Sequence, residues 1–144
     1  MTDHEAFLSE ASIPLRLSIA DGDQPIIVPL WYLYEDGRFW CACHETSYLV
    51  KRIRAQSTPD ANNVACAFDI STNEPPYKGV RGAGRVSLVS EQGADRLRSL
   101  LDRYLGDTDS DFANWLLSRA DGEEALCIEP DRISSWDFTA RMTQ

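Results

Sequence analysis

Short strand-like runs separated by turn-forming residues are the feature that most constrains the fold of this 144-residue chain. Residues 14–20 alternate apolar and polar side chains, and an Asp-Gly-Asp turn at 21–23 leads into the apolar run 26–34. A Glu-Asp-Gly turn at 35–37 then predicts a hairpin whose second strand is 38–43. Because hairpins pair neighbouring strands in opposite directions, the sequence predicts an antiparallel sheet. The run 26–34 is apolar at both alternating positions, which predicts a strand buried on both faces.

The remaining segments predict helices around this sheet. Residue 46 or 47 can cap a helix that ends near residue 56 and buries one apolar stripe. We also expect helices at 3–12, 91–106 and 110–119, and strands at 63–70, 77–89, 125–128 and 132–138. The buried residues of the 110–119 helix are expected to be Phe112, Trp115 and Leu116, and Pro130 requires a sheet edge or a bulge. About six strands in hairpin order predict a mostly β fold with helices (α+β), closed into a small barrel.

Charge and chain length exclude several classes of protein. The chain has 23 acidic and 14 basic residues, and its net charge of −9 argues against a nucleic-acid partner. The longest apolar run has nine residues, whereas a membrane-spanning helix needs about 20. The N-terminal residues lack the basic segment of a secretory signal, so we expect a cytoplasmic protein with no membrane partner. A chain of this length predicts a single domain over residues 1–144, with its core at about 13–138.

No metal site is expected from the cysteines and histidines. The four cysteines are Cys41, Cys43, Cys66 and Cys127, and they lie in apolar strand-like runs without a Cys-x-x-Cys pair. We interpret them as free thiols in the core. Cys41 and Cys43 share one face of a strand whereas His44 points to the other, so the three side chains do not converge on a metal. A His-Glu-x-x-His site is also excluded, because Tyr48 occupies the position of the second histidine.

One basic cluster carries a candidate binding chemistry. A predicted strand ends at Cys43, and the next predicted helix begins near Ser47. Lys51, Arg52 and Arg54 lie inside that helix. Free backbone amides at a helix start, a hydroxyl cap and nearby cations together suit a phosphate group. The alternative interpretation is that the three bases form the solvated face of an amphipathic helix, and the residues alone leave both open.

Four segments of the chain occur in a recognisable order. They are PLRLSIADGDQPIIVPLWYLYEDGRFW, CACHETSYLVKRIR, EPPYKGVRGAGRVSLV and RISSWDF, and they span about residues 13–138. In that order they resemble the pyridoxamine phosphate oxidase-like split-barrel flavoproteins. The resemblance implies a six-stranded antiparallel split barrel that forms a homodimer and binds flavin mononucleotide (FMN) at each subunit interface.

The same resemblance implies where the cofactor binds. The second strand would meet the flavin ring through its backbone, and the end of the third strand with the following helix start would hold the phosphate. A base one helical turn later would neutralise the phosphate, two bases of the fifth strand would lie near the cofactor, and a tryptophan would cover the ring. The implied cofactor-binding residues are Val28, Pro29, Leu30, Trp31, Ala42, Cys43, Ser47, Tyr48, Leu49, Lys51, Arg52, Lys78, Arg81 and Trp136.

Three residues depart from the family's pattern. Tyr48 and Leu49 stand where family members often have Arg-Lys, and Cys43 stands where a threonine is usual. The implied function is an FMN-dependent oxidoreductase that transfers hydride between a reduced nicotinamide or small organic substrate and the flavin, with catalytic residues unassigned. The alternatives are a deazaflavin-dependent reductase, a non-catalytic flavin- or haem-binding protein of the same fold, and an empty barrel that acts as a dimeric interaction module.

Overall fold

The computed structural model describes residues 3–106 and 109–142. Within these residues, seven strands form one antiparallel sheet and five helices surround it. The strands are β1 (Leu15–Ile19), β2 (Ile26–Leu30), β3 (Leu33–Glu35), β4 (Arg38–His44), β5 (Asn63–Ser71), β6 (Lys78–Val89) and β7 (Glu123–Asp137). The helices are α1 (Asp3–Glu10), α2 (Tyr48–Gln56), α3 (Gly93–Tyr104), α4 (Asp111–Ser118) and α5 (Thr139–Met142), with single 3-10 turns at Ser90–Gln92 and Ala120–Gly122.

The sheet curls because its two edge strands are consecutive in the chain. The strand order is β2-β1-β5-β6-β7-β4-β3, yet only Trp31 and Tyr32 separate β2 from β3. The three chain steps from Leu30 to Leu33 span at most about 11 Å, so the two edges of the sheet must approach each other. The sheet is therefore a curled half-barrel, and the predicted mostly β architecture with helices is confirmed.

The sheet has seven strands where about six were predicted, and the strand boundaries differ from the prediction in two places. The apolar run 26–34 divides into β2 and β3 at opposite edges, and Ile27 is 66% exposed, so the prediction of one strand buried on both faces was wrong. Pro29 fits an edge strand, where its missing N–H breaks no ladder. Conversely, the two predicted C-terminal strands join into β7, with Pro130 at a register shift opposite Gly84. The bulge expected at Pro130 is confirmed.

Local signals for turns and caps are confirmed residue by residue. Asp36 and Gly37 have φ values of 52° and 77°, which a two-residue hairpin between β3 and β4 requires. The Ser47 hydroxyl accepts a hydrogen bond from the Val50 amide at 3.2 Å and so caps α2. The buried stripe of α2 consists of Leu49, Val50 and Ile53.

The main core fills the inside of the curled sheet. Alternate residues of the strands point inward together with the α2 stripe and one residue of α1. The largest fully buried side chains of this core are Tyr32, Phe39, Leu8, Leu15, Leu17, Ile19, Ile53, Ile70, Leu126 and Ile128. The Tyr32 hydroxyl donates to the Leu8 carbonyl at 2.8 Å, and burial raises the pKa of Tyr32 to about 12.

A second, smaller cluster packs α3 and α4 beside β4. Its buried members are Leu97, Leu101, Ala113 and Ala120. The expectation that α4 buries Phe112 and Trp115 was wrong, because each is 52% exposed. The small residue Ala113 makes the buried contact of α4, and Leu116 is only partly buried against the same cluster. The large aromatic residues therefore lie on the flank of α4 and remain open to solvent.

The cysteines behave as the sequence predicts. All four are free; Cys41, Cys66 and Cys127 are buried and Cys43 is half-buried. Burial raises the pKa of the Cys66 thiol to about 11. The described residues contain no group of three or more His, Cys, Asp or Glu placed to hold a metal ion. None of the helices in the described ranges is long and apolar enough to cross a membrane.

Candidate functional site

A groove lies where the two edges of the curled sheet meet. Its described lining comes from the end of β2, from the two-residue segment between β2 and β3, from one residue of β4 and from the sides of α3 and α4. These residues are Pro14, Pro29, Leu30, Trp31, Ala42, Leu97, Leu100, Phe112, Leu116 and Glu123, and they enclose about 370 Å³. We call this cavity the Trp31 groove. It brings together four of the predicted cofactor-binding residues, Pro29, Leu30, Trp31 and Ala42.

The walls of the Trp31 groove are aromatic. Trp31 stacks on Tyr104 with ring centroids 5.2 Å apart and an interplanar angle of 13°. Phe112 meets Trp31 edge-on at 6.4 Å, and Trp115 stacks beside Phe112 at 6.4 Å. Since Phe112 and Trp115 are half-exposed, the groove opens to solvent along its aromatic side. Apolar, aromatic-walled cavities of this size suit a planar organic ligand.

Backbone groups are available beside the aromatic walls. Within the described residues, β2 pairs only with β1, so its other edge carries unpaired N–H and C=O groups. Ala42 presents only a methyl group, which leaves room next to that edge. Val28, the remaining predicted residue of this strand, packs its side chain partly against the main core. Any contact of Val28 with a ligand in the groove would therefore involve its backbone.

One carboxyl group lies in this apolar lining. Glu123 is the sole ionisable side chain among the described residues of the Trp31 groove. Burial raises its pKa above the ordinary value, and the nearby Arg119 guanidinium offsets part of that rise. Desolvation disfavours the charged form of an acid, so Glu123 holds its proton at higher pH than an exposed glutamate.

The residues predicted to bind the cofactor phosphate lie at the start of α2. The Cys43 thiol donates to the Ser47 hydroxyl oxygen at 3.1 Å, which is the same oxygen that caps the helix. Burial raises the pKa of Cys43, so the thiol stays protonated at neutral pH. Leu49 is buried in the core, whereas Tyr48 is 59% exposed. The amides of Tyr48 and Leu49 have no partner within the helix, as at every helix start, whereas the Val50 amide donates to the Ser47 hydroxyl.

Carboxylates engage two of the three bases that follow this helix start. Arg52 Nε lies 2.8 Å from Asp21 Oδ1, and the Tyr48 hydroxyl donates to Asp21 Oδ2 at 2.5 Å. The hydrogen bond from Tyr48 and the charge of Arg52 lower the pKa of Asp21. Arg54 Nη2 lies 2.7 Å from Glu124 Oε1. Lys51 is exposed and forms no ion pair within the described residues. The helix start therefore fits a phosphate through its amides and Lys51 rather than through a cluster of free cations.

The predicted bases of the fifth strand lie in two other cavities. Lys78 and Trp136 line a cavity of about 580 Å³ between α1 and the ends of β6 and β7, where Lys78 Nζ is 5.9 Å from the Phe7 ring centroid. Arg81 lines a cavity of about 380 Å³ on the outer face of the sheet, and its guanidinium lies 5.2 Å from the Trp136 ring centroid. Within one chain, these three residues do not line the Trp31 groove.

Comparison with known proteins identifies the fold. Neither a family model nor a curated protein matches the chain. Solved structures do match: an F420 reductase has a TM-score of 0.72 at 17% identity, over 93% of this chain and 98% of its own. A candidate pyridoxamine 5'-phosphate oxidase from Listeria innocua has a TM-score of 0.64 at 14% identity, over 91% and 93%. An FAD- and haem-binding protein from Mycobacterium smegmatis has a TM-score of 0.65 at 13% identity, over 94% and 71%.

This chain has the pyridoxamine 5'-phosphate oxidase-like split-barrel fold. The resemblance stated from the sequence is thereby confirmed at the level of fold. The sequence analysis did not assign Phe112, Leu116 or Glu123 to the candidate site of this split barrel. One signal was present for the aromatic wall: α4 carries four large apolar residues in eight, which is more than one face of so short a helix can bury. No local signal marked Glu123, because only the packing of α3 and α4 places it in a cavity.

Proposed function

We propose that this split barrel binds a flavin, FMN in the first instance, in the Trp31 groove and acts as an oxidoreductase. The observation that supports it is the groove itself, where the backbone of Pro29 and Leu30 and the ring of Phe112 converge around about 370 Å³. A bound flavin supplies hydride chemistry with a reduced nicotinamide or a small organic substrate. The protein's part is to hold the ring and exclude water, which requires no acid–base residue from the chain.

Each part of the ligand has a matching group in the protein. The unpaired edge of β2 offers donors and acceptors to the polar edge of a flavin ring, and Trp31 and Phe112 supply aromatic contacts. The phosphate would bind at the first amides of α2, beside the Ser47 hydroxyl, with Lys51 as the neutralising cation. The pairing of Arg52 with Asp21 reduces the positive charge available there, so the ring contacts would contribute most of the affinity.

We also propose that the protein is a homodimer and that a second copy covers the open side of the groove. Half-exposed Phe112 and Trp115 leave an aromatic surface beside the cavity, and surfaces of this kind commonly mark interfaces. In a dimer, residues of a second copy such as Arg81 and Trp136 can approach a cofactor that the same residues in one chain do not reach. Light scattering coupled to gel filtration gives the mass directly, and a monomer at micromolar concentration would contradict this part of the proposal.

A deazaflavin is the second candidate ligand, and haem is the third. One solved structure of this fold is an F420 reductase, which supports a deazaflavin-dependent reductase. Another is described as binding FAD and haem. The described lining of the Trp31 groove contains no His, Cys or Met side chain that could ligate iron. The groove therefore favours a flavin-type ring over haem, and a binding protein without turnover remains the non-catalytic form of the proposal.

The test is a titration of the purified protein with FMN, F420 and haem, each followed by the visible spectrum after desalting. Phe112→Ala removes one aromatic wall of the groove, and the matched control is Phe138→Ala, which is 40% exposed at the C-terminal end. An aromatic contact of about 0.5–1.5 kcal/mol predicts up to about a tenfold weaker Kd for Phe112→Ala and no change for Phe138→Ala. Equal affinity of the two variants, or no retained chromophore with any ligand, would refute the proposal. Reduction of the bound flavin by NADH or NADPH separates an enzyme from a binding protein.

A further inference from the structure

One end of the Trp31 groove carries a carboxyl group that has no partner in the protein. Glu123 is the first residue of β7 and lines the groove. Within residues 3–106 and 109–142, its side chain forms no hydrogen bond or ion pair. The next residue of the same strand differs, because Arg54 and Ser90 both bind the Glu124 carboxylate. The carboxyl group of Glu123 is therefore available to a ligand.

The strand register places Glu123 on the groove side of the sheet. Glu123 lies opposite His44 in the ladder between β4 and β7, and Ala125 lies opposite Ala42. Side chains two residues apart on a strand share a face, so Glu123 is on the face that bears Ala42. Diagonal neighbours of this kind are about 7–8 Å apart. The acidic side chain thus stands beside a methyl group, which leaves space for a ligand next to it.

Two basic side chains lie near Glu123, and other groups engage both of them. His44 Nδ1 accepts a hydrogen bond from the Thr46 amide at 3.3 Å and lies 2.8 Å from the Thr46 hydroxyl oxygen. The Arg119 guanidinium lies 4.7 Å from the Trp115 ring centroid. Neither basic side chain forms an ion pair with Glu123 in the described part of the chain. The fold therefore leaves this carboxyl group short of compensating positive charge.

Apolar side chains continue the groove away from the carboxyl group. Ala42 and Leu116 line the same cavity, and both pack against one cluster together with Trp31. Leu116 and Phe112 are four residues apart on α4, so they lie on one face of the helix. Phe112 is half-exposed and forms the open aromatic side. We use the name Glu123 end for the part of the groove that is lined by Ala42, Leu97, Leu116 and Glu123.

We propose that the Glu123 end binds the cationic group of a small organic substrate, whose flat body lies along Leu116 and Phe112. A ligand cation supplies the charge that the carboxylate lacks, and charge-assisted hydrogen bonds are stronger than neutral ones. A charged group in an apolar site without a partner is unfavourable, so a cationic ligand gains affinity by compensating it. The inference rests on the proposed function only in naming the substrate class, with the flavin ring at the other end of the groove, beside Pro29 and Leu30.

The first experiment titrates the flavin-free full chain by calorimetry with benzylamine, N-methylpyridinium, benzyl alcohol and benzoate at neutral pH. Benzylamine carries an ammonium group and N-methylpyridinium carries a charged ring, so the two cations distinguish these sources of positive charge. Benzyl alcohol is neutral, and benzoate is an anion of similar size. We expect at least one cation to bind, with benzyl alcohol and benzoate each at least tenfold weaker. Binding by neither cation, or equal binding of benzyl alcohol, overturns the proposal.

The variant is Glu123→Gln, which keeps the shape of the side chain and removes its charge, and the matched control is Glu45→Gln. Glu45 is exposed and is not part of the described lining of the groove. We expect Glu123→Gln to weaken the bound cation at least tenfold and Glu45→Gln to change it less than twofold. Glu123→Asp, which keeps the charge on a side chain shorter by one methylene, should fall between them. Equal losses in Glu123→Gln and Glu45→Gln would mean that only net charge matters, and would overturn the proposal.

A final measurement separates this inference from the proposed function. Glu123→Gln should leave the FMN affinity unchanged, and the FMN-loaded protein should still bind the cation. A parallel loss of FMN affinity would make Glu123 a cofactor contact, and displacement of FMN by the cation would make the two ligands competitors; either result overturns the proposal. If the cation binds through Glu123 and FMN does not bind, only the proposed function is refuted. If FMN binds and neither cation does, only the present inference is wrong.

Discussion

Arg54 belongs to the basic cluster of α2, and its structural role makes a sharp prediction. Its Nη2 lies 2.7 Å from Glu124 Oε1, and the Ser90 hydroxyl donates to Glu124 Oε2 at 2.6 Å. The Glu124 side chain is only 7% exposed, whereas the Arg54 side chain is 52% exposed. The three residues connect α2, the 3-10 turn after β6 and the start of β7. Arg54→Ala leaves a buried carboxylate with one neutral hydrogen-bond donor.

The magnitude follows from this burial. Removing one partner of a fully buried ion pair costs about 3–5 kcal/mol. Since water can reach the half-exposed arginine site and Ser90 remains, we expect Arg54→Ala to lower the free energy of unfolding by about 2–3 kcal/mol. For a domain of this size that corresponds to a decrease in Tm of roughly 6–12 °C. Lys51→Ala, an exposed change on the same helix, should cost less than about 0.5 kcal/mol.

Urea unfolding followed by tryptophan fluorescence measures both variants, and calorimetry gives the Tm values. The double variant Arg54→Ala with Glu124→Gln removes the unpaired charge while keeping an acceptor for Ser90, so it should recover at least half of the loss. If Arg54→Ala is no more destabilising than Lys51→Ala, the reasoning about the buried carboxylate is refuted. If folded Arg54→Ala also binds FMN several-fold more weakly, Arg54 is a cofactor contact after all.

Three other changes test single features of the structure. Ser47→Ala removes the hydroxyl that caps α2 and should cost about 1 kcal/mol in chemical unfolding, while Ser47→Asp retains the cap; equal stabilities would contradict the capping role. Gly37→Ala places a side chain at φ 77° and should cost about 1–2 kcal/mol although nothing crowds the site, and an unchanged Tm would argue against the predicted turn. Glu123 has a raised pKa in the fold, so the native state binds more protons than the unfolded state and loses stability as pH rises above the ordinary value of 4.5. Glu123→Gln should therefore raise the Tm at pH 7 and change it little below pH 4.5, and the opposite dependence would show that Glu123 is not desolvated.

Many of the turns and helix starts could be predicted because they depend on residues that are close together in the sequence. The cap at Ser47 and the apolar stripe of α2 depend on residues three or four positions apart, and the turn at Asp36 depends on two adjacent residues. Such interactions lie within one element and are therefore visible in the sequence. The same holds for Pro130, whose missing N–H restricts it to a bulge or an edge wherever the strand runs.

Long-range packing decided the features that the sequence did not reveal. The run 26–34 has the composition of one buried strand, but curling of the sheet places its two halves on opposite edges and leaves Ile27 exposed. Phe112 has the pattern of a core residue, yet α4 packs through Ala113 and turns Phe112 toward the Trp31 groove. Only the fold brings Asp21 next to Arg52, 31 positions later in the chain, and so occupies a base that the sequence offers to a phosphate.

The sequence by itself determined the class of fold, most turns and helix starts, and the order of segments that indicates a split barrel. The tertiary structure alone decided which residues share a cavity: the aromatic wall with Glu123 on one side, and Arg16, Arg81 and Arg132 on the outer face. The physical reason is that turns, caps and periodicity are set by neighbours along the chain. Cavities and ion pairs instead depend on strand register and helix docking, which join segments that lie far apart in the sequence.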